Sequence, residues 1–146
     1  MNGKQTVNGI VESVLYVEDL AHSVKFYQDL FGFEQEIRDE MICVLRVPNR
    51  QALILFPKSV ATEPGRKTSP VGTVEGVIPP HGGSGRLHVA FSIAASDLEE
   101  WEQRLTERNI PIDSKVNWKR GGWSLYFRDP DEHLLELITP GLWSFY

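Results

Sequence analysis

A chain of 146 residues, 41% hydrophobic and with a net charge of −5 from fifteen Lys and Arg against twenty Asp and Glu, has the length of one domain that buries its core without staples. Its basic residues are scattered except at Arg66-Lys67 and Lys119-Arg120, which excludes the concentrated cationic footprint of a nucleic-acid binder. Apolar runs of about six residues are too short to span a membrane, the start MNGKQTVNG has no export-signal core, and the single Cys43 reads as a buried thiol, so a cytoplasmic protein with a small-molecule partner is expected.

In chain order, residues 10–17 alternate as a strand, with Glu12, Val14 and Tyr16 on one face and Val11, Ser13, Leu15 and Val17 on the other. Asp19 then caps a helix whose Leu20, Val24, Tyr27 and Phe31 recur at helical spacing, and Gly32 ends it as a left-handed cap. Residues 33–39, 41–47 and 51–57 read as three short strands, which completes a βαβββ unit. Residues 58–85 hold four prolines and six glycines with little periodicity, and read as a connector rather than an element. Its end, His81-Gly82-Gly83-Ser84-Gly85, is no phosphate loop, because no Lys-Ser/Thr pair follows and no helix opens there.

The same order then recurs. A strand is expected over 86–94, a helix over 97–108 with a Ser96-x-x-Glu99 capping box, and strands near 112–116, 122–128 and 134–139. The last two flank the turn Asp129-Pro130-Asp131-Glu132. Thirteen residues separate Asp19 from Gly32 and twelve separate Asp97 from Asn109, an Asn that can replace glycine at the left-handed cap. The chain is therefore a duplicated unit: module one 8–57, connector 58–85, module two 86–140 and an apolar tail 141–146.

Glu136, between Leu135 and Leu137, is a carboxylate in an apolar strand and needs a partner, which is either an arginine or a metal ion. The repeat puts Glu12 and His88 at matched positions opening each module's first strand, and Leu53 or Leu55 opposite Glu136 in the other module. Glu12, His88 and Glu136 are thus three candidate ligands. His81, on glycine-rich chain, is a candidate to swing in as ligand or acid/base, with an exposed loop histidine as the plain alternative. His22 and His133 are expected at the surface, and no nucleophile elbow around a serine occurs. Trp118, Lys119, Arg120, Trp123 and Tyr126 form a cluster expected beside Glu136, with Arg120, Trp123, Tyr126 and His81 as substrate-binding candidates.

The pairing of VESVLYVEDLAHSVKFYQDLFGF with LHVAFSIAASDLEEWEQRL, and the ending YFRDPDEHLLELITP, resemble the vicinal oxygen chelate superfamily, which includes glyoxalase I, fosfomycin-resistance transferases, extradiol dioxygenases and bleomycin-resistance proteins. The resemblance implies an α+β fold of two tandem βαβββ modules curled into a mixed-sheet cup. It also implies one divalent metal ion held by first-strand and last-strand residues, here Glu12, His88 and Glu136. Where that pattern has His in module one this chain has Glu12, and leucine replaces the second module-one ligand. One imidazole with two carboxylates suits Mn, Ni, Zn or Mg as a Lewis acid better than redox iron. The expected function is a metal-dependent lyase, isomerase or transferase acting on a substrate that chelates the ion through adjacent oxygens, with Glu136 or Glu12 as general base. The alternative is metal-free sequestration of the bleomycin-resistance type. A homodimer is expected, since modules of this fold also pair between chains.

Overall fold

The structure is a computed structural model that describes residues 5–146. Its elements follow the duplicated order. The first set is β1 (Glu12–Val17), α1 (Leu20–Phe31), β2 (Glu34–Arg38), β3 (Cys43–Val47) and β4 (Gln51–Pro57). After an intervening segment come β7 (His88–Ser92), α2 (Leu98–Glu107), β8 (Ile112–Asn117), β9 (Trp123–Arg128) and β10 (Leu134–Ile138). Each set builds a four-stranded mixed sheet of the same topology, β1-β4-β3-β2 and β7-β10-β9-β8, in which the first and last strands run parallel. The α+β architecture of two βαβββ repeats is as the sequence implies.

Backbone contacts divide the chain into two compact units, and α1 does not fall with its own strands. Among the described residues, one unit comprises 5–20 and 33–83, and the other 21–32 and 84–146. In the first, Leu15, Val17, Cys43, Leu45, Leu53 and Leu55 are buried on one sheet face. The opposite face carries a second apolar cluster, Ile54, Phe56 and Val60 with Val14, Tyr16 and Val44. In the second unit, Phe31 of α1 meets Phe91 at 4.8 Å, Trp101 at 5.8 Å and Phe127 at 6.4 Å between ring centroids, so both helices pack on one side of this sheet. Arg104 of α2 donates to the carbonyl of Leu30, satisfying an orphan acceptor at the end of α1.

Both helix C-termini close as the spacing predicts. Gly32 has φ +71 and donates to Gln28. Asn109 has φ +56, and the bonds from Asn109 N–H to Thr106 and from Ile110 N–H to Leu105 complete a Schellman motif. The capping box at the start of α2 does not form. Ser96 Oγ bonds Asp97 Oδ1, and a 3-10 turn over Ala95–Asp97 feeds the helix. That turn makes Asp97 the N-cap residue, with no side-chain cap bond.

The connector is also more ordered than its composition implies. It contains a 3-10 turn (Lys58–Thr62) and a hairpin of β5 (Arg66–Ser69) and β6 (Gly72–Ile78), joined at Pro70-Val71, where Ser69 Oγ accepts the Val71 N–H. The hairpin has no strong periodicity because both its faces are largely exposed, so no apolar alternation is selected. A two-stranded ribbon is marginal by itself. Limited trypsinolysis is expected to cut first at Arg66 or Lys67, read by mass spectrometry of early fragments. First cleavage inside Leu98–Glu107 would overturn this ranking of local stability.

Candidate functional site

Glu136 lies in the middle of β10, between the buried Leu135 and Leu137, and is only 5% exposed. The ladder aligns Ala90 and Tyr126 beside it, with His88 one step away opposite Leu134 and Ser124 opposite Ile138. Strand alternation therefore sets His88, Glu136, Tyr126 and Ser124 on one face of the sheet, while Val89, Phe91, Leu125, Phe127, Leu135 and Leu137 occupy the other.

Each carboxylate oxygen of Glu136 has a distinct partner. Ser124 Oγ donates to Oε2, and Trp118 Nε1 donates in turn to Ser124 Oγ at 2.8 Å. Oε1 lies 3.2 Å from His88 Nε2. The other ring nitrogen, His88 Nδ1, is 2.8 Å from the Leu134 carbonyl, which can only accept, so Nδ1 carries the proton. In the neutral ring this leaves a bare lone pair on Nε2 pointed at a carboxylate oxygen. Two acceptors face each other, and a proton or a cation between them resolves the conflict. An imidazole oriented by a backbone carbonyl and a carboxylate oriented by a hydroxyl are the outer contacts that metal ligands use. The residues thus fit a divalent ion, and the His88 side chain, 48% exposed, leaves the pair open to solvent. Tyr126 stands beside them with its phenol pKa raised, first by burial and then by the charge of Glu136, so it remains a proton donor.

Glu12 opens β1 and is exposed, in the other compact unit. Among the described residues no three or more His, Cys, Asp or Glu are grouped to hold an ion. The registers correct one detail of the repeat. Glu12 pairs with Ala52 as His88 pairs with Leu134, so the counterpart of Glu136, two residues on, is Ile54. Leu53 and Leu55 have the opposite parity and are buried on the other face. The fourth position is apolar, as expected, but it is isoleucine.

His81 is not a free loop histidine. Its Nδ1 lies 2.8 Å from the Tyr16 hydroxyl, and its ring meets Phe56 edge-on at 4.5 Å. The glycines after it permit this approach, since a Cβ on Gly83 would sit 2.5 Å from the Tyr16 ring. His81 thus rests on the face of β1 that carries Glu12, but four residues, about 13 Å, further along the strand.

Of the aromatic and cationic cluster, Tyr126 shares the Glu136 face and Arg120 lies exposed on the turn before β9. Trp123 does not line that face. It has the parity of Leu125 and Phe127, and its ring lies 5.0 Å from Lys115 Nζ, which in turn pairs with Glu102 of α2. Trp118 is the tryptophan that reaches the site. His22 is exposed, as expected, but His133 is buried, and its Nδ1 accepts the Leu87 N–H at 2.8 Å. Sequence reasoning missed Ser124 as a partner of Glu136, although a serine with the parity of Tyr126 in an otherwise apolar strand was a usable signal.

Known proteins share this plan. Metallothiol transferase FosB of Staphylococcus saprophyticus is 43% identical over 53 residues, a match that spans 36% of this chain and only 35% of that protein's length. Glutathione transferase FosA of Serratia marcescens is 29% identical over 131 residues, covering 88% of this chain and 78% of that one. The crystal structure of lactoylglutathione lyase from Agrobacterium tumefaciens superposes with a TM-score of 0.84 at 28% identity, covering 97% of this chain and all of the other. With residues 9–137 matching its family description, the chain belongs to the Glyoxalase/Bleomycin resistance protein/Dioxygenase superfamily.

Proposed function

We propose that this protein is a metal-dependent transferase or lyase acting on a small substrate that offers two adjacent oxygens, with a thiol as co-substrate or as part of the substrate. One observation carries the reading: His88 Nε2, an acceptor in the neutral ring, facing Glu136 Oε1 at 3.2 Å. The three relatives named above support the thiol, since each is named for thiol or glutathione chemistry. His88 and Glu136 would hold the ion, with Glu12 of module one as third donor, from this chain or from a second copy in a homodimer. The ion supplies Lewis-acid polarisation of the substrate oxygens. An oxygen-rich donor set of this kind suits Mn²⁺, Ni²⁺, Zn²⁺ or Mg²⁺.

The chain's own groups divide the remaining work. Glu136 is fixed at Oε2 by Ser124 and acts as an anchored ligand. Glu12, which is exposed and not held by a neighbouring hydroxyl as Glu136 is, would be the carboxylate that the substrate displaces from the ion and so the general base. Tyr126, held protonated, donates to a substrate oxygen on the same face. Arg120, and His81 with Tyr16, contribute contacts to an anionic or aromatic portion of the substrate.

Metal analysis of protein purified without chelator tests the reading. A stoichiometric divalent ion is expected, and adding it to stripped protein at 100 times its dissociation constant should stabilise the fold by about 2.7 kcal/mol. Absence of both bound ion and thermal response to Mn²⁺, Ni²⁺ and Zn²⁺ would replace this reading with metal-free ligand sequestration.

A further inference from the structure

We infer that Trp118 and Ser124 are positioning residues, an indole-to-hydroxyl-to-carboxylate relay that holds one oxygen of Glu136 so that the other stands as a single donor beside His88. The inference rests on the proposed ion site and goes beyond it by naming what sets the geometry of that site.

A serine hydroxyl has one proton and two acceptor lone pairs, and left alone it rotates freely. Here the Trp118 N–H, which can only donate, occupies one lone pair at 2.8 Å. The hydroxyl proton goes to Glu136 Oε2, with the Tyr126 phenol as a further hydrogen-bonding neighbour of both groups. Ser124 is fully buried, so water does not compete for it. Backbone bonds from Trp118 N–H to Gly122 at 3.0 Å and from Gly121 N–H to Trp118 at 2.9 Å close the turn before β9 and fix where the indole starts. The relay thus runs from a closed turn, through a buried hydroxyl that accepts from the indole, to a carboxylate with one oxygen committed. Without it Glu136 can rotate, and its two oxygens become equivalent candidates for the position beside His88. Outer contacts of this kind are typically worth about 10- to 100-fold in metal affinity.

The test titrates Mn²⁺ alone into the metal-stripped full chain by calorimetry, with melting temperatures recorded with and without the ion. The proteins are wild type, Ser124→Ala, Ser124→Thr, Trp118→Phe and Glu136→Gln. Ser124→Ala is expected to weaken Mn²⁺ binding by about 10- to 100-fold, Ser124→Thr to restore much of it by returning the hydroxyl, and Trp118→Phe to fall between. A purely structural role would move the metal-free melting temperature and leave the affinity of the folded protein unchanged. If wild type ignores Mn²⁺, or Glu136→Gln binds it equally well, the ion site itself fails. If Glu136→Gln loses binding while Ser124→Ala and Trp118→Phe both stay within about twofold of wild type, the relay is overturned and the ion site stands.

Discussion

Glu136→Gln is expected to remove the response to divalent ions while leaving the metal-free protein as stable as wild type or more so. The carboxylate is 5% exposed and faces a histidine nitrogen that in the neutral ring carries a lone pair. Glutamine keeps the volume, offers its carbonyl to Ser124 and turns an N–H toward His88 Nε2, so it satisfies both neighbours without a buried charge. What it cannot do is donate an anionic oxygen to a cation. Affinity for Mn²⁺ should fall by more than about 100-fold, beyond what the loss of an outer contact costs. Glu136→Ala also loses the ion, but leaves the Ser124 hydroxyl without its acceptor, at about 1–3 kcal/mol of stability. His88→Ala combined with Glu136→Gln should be no worse for binding than either alone, since both remove one site. Calorimetry and thermal melts read both quantities, and a Gln variant that still melts higher with added ion would remove Glu136 from the site.

The largest loss of stability is expected from Asp129→Ala, more than about 3 kcal/mol in denaturant unfolding, since each buried donor left without its acceptor costs about 1–3 kcal/mol. Asp129 opens the turn between β9 and β10. Its Oδ1 accepts the N–H groups of Asp131 and His133 at 2.9 Å, and its Oδ2 accepts the buried Tyr27 hydroxyl of α1 at 2.6 Å. Alanine leaves three buried or half-buried donors without this acceptor, whereas asparagine keeps the Oδ1 bonds and should cost much less. A loss below about 1 kcal/mol for alanine would show that the turn holds α1 by other means.

The same residue sets a pH dependence. Burial raises the Asp129 pKa above the ordinary carboxylate value, although the bond from Tyr27 and the nearby His133 pull it back down. A folded pKa above the unfolded one means that the protonated form is favoured in the fold. The contribution is complete below the unfolded pKa and is lost as pH rises through the folded value. Wild type should therefore lose part of its stability across that acidic window relative to Asp129→Asn, whose profile should be flatter there. Tyr27, raised well above its usual value by burial first and by Asp129 second, stays a donor throughout.

Local chemistry was legible wherever it is periodic. The helices over Leu20–Phe31 and Leu98–Glu107, the parity of β1, the left-handed caps at Gly32 and Asn109, and the Asp129 turn follow from spacings of 3.6 and 2 and from residues that tolerate positive φ. The duplication followed too, because two segments with the same order of elements need no long-range information to be recognised. Glu136 stood out because a carboxylate within an apolar strand conflicts with its surroundings.

Ladder register and the packing of distant segments decided the rest. That the counterpart of Glu136 is Ile54, and that Trp118 rather than Trp123 reaches Ser124, depend on pairings of β1 with β4 and across the turn before β9, where a shift of one residue exchanges the two faces. His133 is buried because its ring accepts a backbone N–H 46 positions away, and Tyr27 finds Asp129 across 102 positions. The Arg66–Ile78 hairpin formed without a buried face to mark it, and α1 joined the compact unit of the second module and not that of its own strands. An amphipathic sequence states that an element has a face to bury, but which neighbour covers that face is a property of the assembled chain alone.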